Sequence, residues 1–376
     1  MPRDVTCQYP NIPTRAAILV LLGCTLWANS ASATTVAMNT DSAKAVLEAL
    51  QDPFLSHDAS LKIAALPGNQ GIIRKLNEFK IPANNQNFAE ALYDSAHGET
   101  VTDTTEQSFY FDLVKPKIPQ LSKLLAEIAA NPKAFQQQIE QRISLFTPIG
   151  ADIRLQGYIV AGGDGGGYAF GDTDFFLNIG MIDEFAVVKG VTTHELYHAV
   201  QGAFAKERGS VETPLSTKRL SRAQQSCVNI AQLFANVYEE GSAMYVEDVS
   251  LLQNAQSEIG LRKLTDMTEG LKHINASVSL LEMSVLSLSA LDAMPYDDVY
   301  EVGFLGSGVL YNIGYVMAKA IADNDGPQGL AAYLKLPAYR FVLHYTELPK
   351  YGKDKDHPKL GGNTLAAANQ FINDCK

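Results

Sequence analysis

His194-Glu195-Leu196-Tyr197-His198 sits inside a stretch, Phe185 to Lys206, that reads as a helix. This His-Glu-x-x-His string constrains the fold more than any other feature of the chain, because its chemistry requires a helix. Residues four apart share a helix face, so His194 and His198 can turn both imidazoles toward one metal ion. Glu195 stands a third of a turn away, where it can reach a water at that ion and take its proton. A chain built this way needs a third ligand from another element and one coordination position left open.

The ends bound the setting. Arg3 and Arg15 flank a polar stretch, Ala16 to Ala28 is apolar but short for a bilayer span, and Ala31-Ser32-Ala33 reads as a cleavage site. Residues 1–33 are therefore expected to be a signal peptide, with the mature chain starting at Thr34 in the periplasm or outside the cell. Leu21-Leu22-Gly23-Cys24 supports a rival reading as a lipoprotein box, which would place a lipid anchor on Cys24. No later stretch is apolar and long enough to cross a membrane. The formal net charge is −11 and the acids are spread along the chain, which argues against nucleic acid and anionic lipid as partners. Cys7, Cys24 and the sole tryptophan, Trp27, fall in the leader. Cys227 and Cys375 remain, and in an exported protein they are expected to pair, the alternative being two free thiols.

The pattern of elements is helices, a small sheet, then helices, which gives a mainly α fold with a small β-sheet (α+β). Helices are expected over Asp41–Gln51, Asn69–Phe79, Asn87–His97, Thr105–Val114 and, as a longer region, Ile118 to Phe146. Ile153–Val160 and Phe175–Ile179 read as strands, separated by the glycine-rich run 161–168, which lacks the Gly-x-Gly-x-x-Gly spacing and reads as a mobile loop. Helices resume with Phe185–Lys206, Ser221–Leu252, Ile259–His273, 277–291, Gly308–Asp323 and Gln328–Leu334. The expected division is a signal peptide at 1–33, an N-terminal helical region at 34–150 and a catalytic region at 151–376.

The third ligand is sought on the helix that carries Glu239-Glu240. Leu233, Val237, Glu240 and Met244 share one otherwise apolar stripe, where a carboxylate is costly unless paired or bound to a cation. Glu239, the competitor, shares a more polar stripe with Gln232, Ala235 and Ser242. Gly241 and Ala243 are small enough to let this helix approach the motif helix closely.

Glu240-Gly241-x-Ala243-x-Tyr245 downstream of the first motif resembles the gluzincin clan of zinc metallopeptidases. More narrowly, it is similar to a family of bacterial zinc-dependent peptidases of uncharacterised function, over about residues 150–345. The resemblance implies a gluzincin-like core and a Zn2+ ion held by His194, His198 and Glu240. It also implies Glu195 as general base and a peptide or protein substrate. The chain departs from the thermolysin-type pattern at Met244, where an acid would orient a zinc histidine. Glu247 and Asp248 are the candidates to replace it. Tyr311-Asn312-Ile313-Gly314 resembles the Tyr-x-x-Gly helix of gluzincin aminopeptidases, which implies an oxyanion donor in Tyr311; the alternative is a packing tyrosine. His344 and Tyr345 could fill the same place, whereas His57, His97, His273 and His357 read as surface or structural. Two other classes fit these residues: a non-catalytic helical binding protein with a peptidase-like fold, and a zinc hydrolase of a non-peptide amide or ester.

Overall fold

The protein is described by a computed structural model covering residues 34–170, 173–182, 184–208, 220–373 and Cys375. The leader, its cleavage site and Cys24 lie outside the described residues. The fold is α+β, helical for most of its length around one mixed sheet.

Among the described residues four strands, not two, make that sheet: β1 Thr35–Asn39, β2 Arg154–Val160, β3 Gly167–Ala169 and β4 Asp174–Asn178, in the order β1-β2-β4-β3. β1 and β2 run parallel, as do β2 and β4, and β3 returns antiparallel to β4 with Tyr168 opposite Phe176. Paired residues share a face. Tyr158, Phe176 and Tyr168 stack in a row with ring centres 5.1 and 5.2 Å apart. The helix Pro67–Glu78 packs on that row, and Gly71 makes the approach possible: a methyl group there would lie 2.1 Å from the Phe176 ring.

On the opposite face lies the motif helix, Phe185–Ala203. Gly167 of β3 faces it so closely that a methyl group would stand 2.9 Å from Glu195 Cγ. The glycine-rich run before β3 is tied down instead of hanging free. Asn178 Oδ1 accepts from the N–H of Gly162 at 3.0 Å, and its Nδ2 donates to the carbonyls of Gly163 at 2.9 Å and Gly165 at 3.1 Å. Gly163 and Gly165 adopt φ of +79° and +80°, which only glycine takes without strain, so the chain reverses tightly and places β3 at the sheet edge.

Before residue 150, two of the expected helices are broken. Tyr110 at φ 54° splits 104–114 into Thr104–Gln107 and Phe111–Val114. Asn131-Pro132 splits the longer region into Ile118–Ala130 and Pro132–Leu145, because proline cannot donate within a helix. Helix Arg222–Glu247 starts at a capping box of Ser221 and Gln224 and ends at Asp248 in the left-handed region. Helix Val309–Ala331 is interrupted at Gly326, φ 76°, just before Pro327. These two long helices cross at a glycine pair. A methyl on Gly241 would lie 2.1 Å from the Gly314 carbonyl carbon. The small residue at 241 therefore admits the Tyr311 helix, not the motif helix as expected. The last helix, Gly362–Asn373, leads to Cys375, which is bonded to Cys227. Among the described residues no helix is long and apolar enough to cross a membrane.

Candidate metal centre

The motif helix has no wide polar face; most of its length is buried, from Val187 through Gln201. His194 and His198 emerge on its cleft side with 14% and 20% of their side chains exposed. Their Nε2 atoms face each other 3.0 Å apart. Glu240, from helix Arg222–Glu247, brings its Oε2 to 3.5 Å from His194 Nε2 and 3.3 Å from His198 Nε2. All three donor atoms lie within 4.8 Å of one another. Ligand bonds of about 2.0–2.1 Å in a tetrahedral zinc site put donors about 3.3 Å apart, so the separations present fit a single zinc ion. The donor chemistry, two imidazoles and one carboxylate, fits as well.

Electrostatics point the same way. Burial works to lower the pKa of His194, but contacts with Glu240 and Glu247 and the charge of Glu195 outweigh it and push it up to about 10. His198 is raised for similar reasons, against its own burial. Burial would raise Glu240, yet the two histidines hold it well below the usual carboxylate range. The carboxylates favour positive charge where the three side chains meet, as a proton on a histidine or as a metal cation.

Glu239, the competing ligand, points elsewhere. It pairs with Arg208, a buried residue that also lies over the Tyr238 ring. Of the two acids expected to replace the one at Met244, Glu247 is the one beside His194. Its Oε2 is 3.3 Å from His194 Nδ1, off the line of a well-formed hydrogen bond, and its other oxygen contacts Lys263. Asp248 instead turns to the N–H of Ser250 at 3.3 Å. Glu247 lies seven residues after Glu240, two turns along the same face, and Gly190 of the motif helix makes room for it: a methyl there would be 3.1 Å from Glu247 Oε1.

His198 has an orienting partner that sequence reasoning missed. Its Nδ1 lies 2.7 Å from Gln201 Oε1, while Gln201 Nε2 donates to Glu239 O and Ser242 Oγ, both at 2.9 Å. With the amide oxygen accepting, the imidazole proton sits on Nδ1 and Nε2 keeps its lone pair for a metal.

These groups line one cleft of about 650 Å³, together with Glu195, Lys75, Gly167, Tyr168, Tyr300, Leu305 and Tyr311. Tyr311 stands beside Glu240. Burial first, and then the charge of Glu240, hold its hydroxyl well above the ordinary phenol range, so it stays protonated and able to donate. Tyr300 shares the wall, half-buried and in the field of Glu240; no motif marks it in the sequence. His344 and Tyr345 are engaged elsewhere: His344 lies between Asp325, 3.1 Å from its Nε2, and the Tyr333 hydroxyl, while the buried Tyr345 donates to Pro358 O at 2.9 Å. His57 stacks on Tyr93, and His357 faces Asp354 at 2.7 Å.

Fold and site together define an α+β protein with a two-histidine, one-glutamate group fit for a metal ion. The chain belongs to the family described as "Putative zinc dependent peptidase (DUF5700)", whose model matches residues 61–354. Neither the curated proteins nor the solved structures give a match.

Proposed function

We propose that this chain is an exported zinc-dependent peptidase in which His194, His198 and Glu240 hold the ion, Glu195 is the general base and Tyr311 the oxyanion donor. The observation that carries the proposal is the convergence of three ligand atoms, from two helices, on a cleft walled by β3, the edge strand among the described residues. Bound there, zinc would lower the pKa of a water toward neutrality and polarise the scissile carbonyl. Glu195 takes the proton of the attacking water and delivers it to the departing amine. Tyr311 donates its hydroxyl to the developing oxyanion, and its raised pKa keeps that proton in place. Gln201 and Glu247 hold the histidine rings in register.

The strand edge accounts for a peptide as substrate. Asn178 N–H bonds Gly166 O across the antiparallel pair, so the alternation of the ladder turns the N–H and C=O groups of Gly167 and Ala169 to the open side. An extended peptide can add there as a further strand, its backbone fixed beside Glu195. We keep the division at residue 150 as one of roles: every hydrolytic residue follows it, and the helix supporting the other face of the sheet precedes it.

Glu195→Gln is the direct test of the base. Zinc should stay bound while peptide hydrolysis falls at least about a hundredfold. A variant that cleaves as fast as the wild type sinks the assignment of Glu195. Export rests on the leader pattern, and the Cys227–Cys375 bond suits an oxidising compartment. Protein recovered from outside the cytoplasm should begin at Thr34 and show no tryptophan emission; an intact Trp27 would refute cleavage.

A further inference from the structure

The cleft has a wall that the hydrolytic residues do not use. Lys75 lines it, carried by the helix Pro67–Glu78 from the N-terminal region. Ile72 and Leu76 bury that helix against the core and Gly71 seats it on Phe176, so Lys75 stands on a firm support. Its ammonium lies 4.7 Å from the centre of the Phe79 ring and 5.6 Å from that of Tyr168 on β3. Among the described residues no carboxylate pairs with it, whereas Arg208, the other cation of the cleft, is held by Glu239. Tyr168 adds an independent sign. It lines the same cleft, it is only 5% exposed, and among the described residues its buried hydroxyl has no hydrogen-bond partner. A polar group in that condition is costly unless a water or a ligand completes it.

A peptide laid along β3 turns alternate side chains to opposite faces of the sheet. On one face they meet the motif helix, toward which Gly167 looks. On the other they meet Tyr168 and Lys75. We propose that Lys75 and the Tyr168 hydroxyl form a subsite for a carboxylate of the bound peptide, on the sheet face opposite the motif helix. This rests on the reading of β3 as the peptide-binding edge. It gives the N-terminal region a part in substrate choice: the ammonium and the phenol both favour an anion, and the partnered Arg208 does not compete for it.

The test reads binding, so that it stands apart from hydrolysis. Zinc-loaded Glu195→Gln protein is titrated by fluorescence anisotropy with labelled alanine-rich decapeptides. These carry one Glu, Gln or Lys at each position in turn, with the C-terminus free or amidated. At one register Glu should bind about tenfold tighter than Gln, a difference of about 1.4 kcal/mol. The gap should vanish when Lys75→Ala is added, and Lys75→Glu should favour the Lys peptide. A gap that depends on the free C-terminus and vanishes with Lys75→Ala supports the same subsite and names the terminal carboxylate as its occupant. Equal affinity for Glu and Gln peptides in every register, or a gap that survives Lys75→Ala, overturns the proposal. Hydrolysis with Glu195 intact is measured separately. Cleavage without charge preference would remove the subsite and leave the peptidase reading standing; charge preference without cleavage would do the reverse.

Discussion

Glu247 Oε2 lies 3.3 Å from His194 Nδ1, on the side of the ring away from Glu240. A carboxylate there favours the proton on Nδ1, which would leave Nε2 for an ion, and Lys263 contacts its other oxygen. Glu247→Gln is predicted to weaken zinc binding by about 10–100-fold, read by competition with a chelator of known affinity. Unchanged zinc affinity would show that Glu247 serves only packing.

Glu282 anchors the last helix from a distance. It accepts from the N–H of Asn363 at 2.8 Å and of Thr364 at 2.9 Å, closing the start of Gly362–Asn373. Burial would raise its pKa, but these hydrogen bonds outweigh burial and hold it below the ordinary 4.5. A depressed folded-state pKa gives stability that is present above the unfolded value and is lost as the pH falls. Glu282→Gln should therefore cost about 1 kcal/mol near neutrality, with the difference from wild type shrinking below about pH 4.5 in denaturant melts. A difference that stays constant into acid would rule out the charged cap.

Much of the centre was legible because helical spacing carries it. His194 and His198 are four apart, Glu195 is adjacent, and Glu240 interrupts an apolar stripe; the structure brings all four to one cleft with Tyr311. Glu247 is harder to read because it lies two turns from Glu240 instead of one. Gln201 and Tyr300 belong to no spacing rule, and only the fold shows that they face the site. β1 and β3 are five and three residues long, too short for a periodic signal, and their pairing depends on partners far along the chain. Lys75 illustrates the same limit: nothing local marks a lysine that tertiary packing sets at a cleft wall. Gly241 reads as a point of close approach, but its own stretch does not show which helix approaches it.

The account stands on Glu240 as the third ligand, and zinc content tests that most directly. Purified wild-type protein should carry about one zinc per chain by elemental analysis. Glu240→Ala should lose it while staying folded, and Glu239→Ala, which removes the carboxylate paired with Arg208, should keep it. Zinc retained by Glu240→Ala but lost by Glu239→Ala, or absent from the wild type after reconstitution, would contradict the metal centre described above.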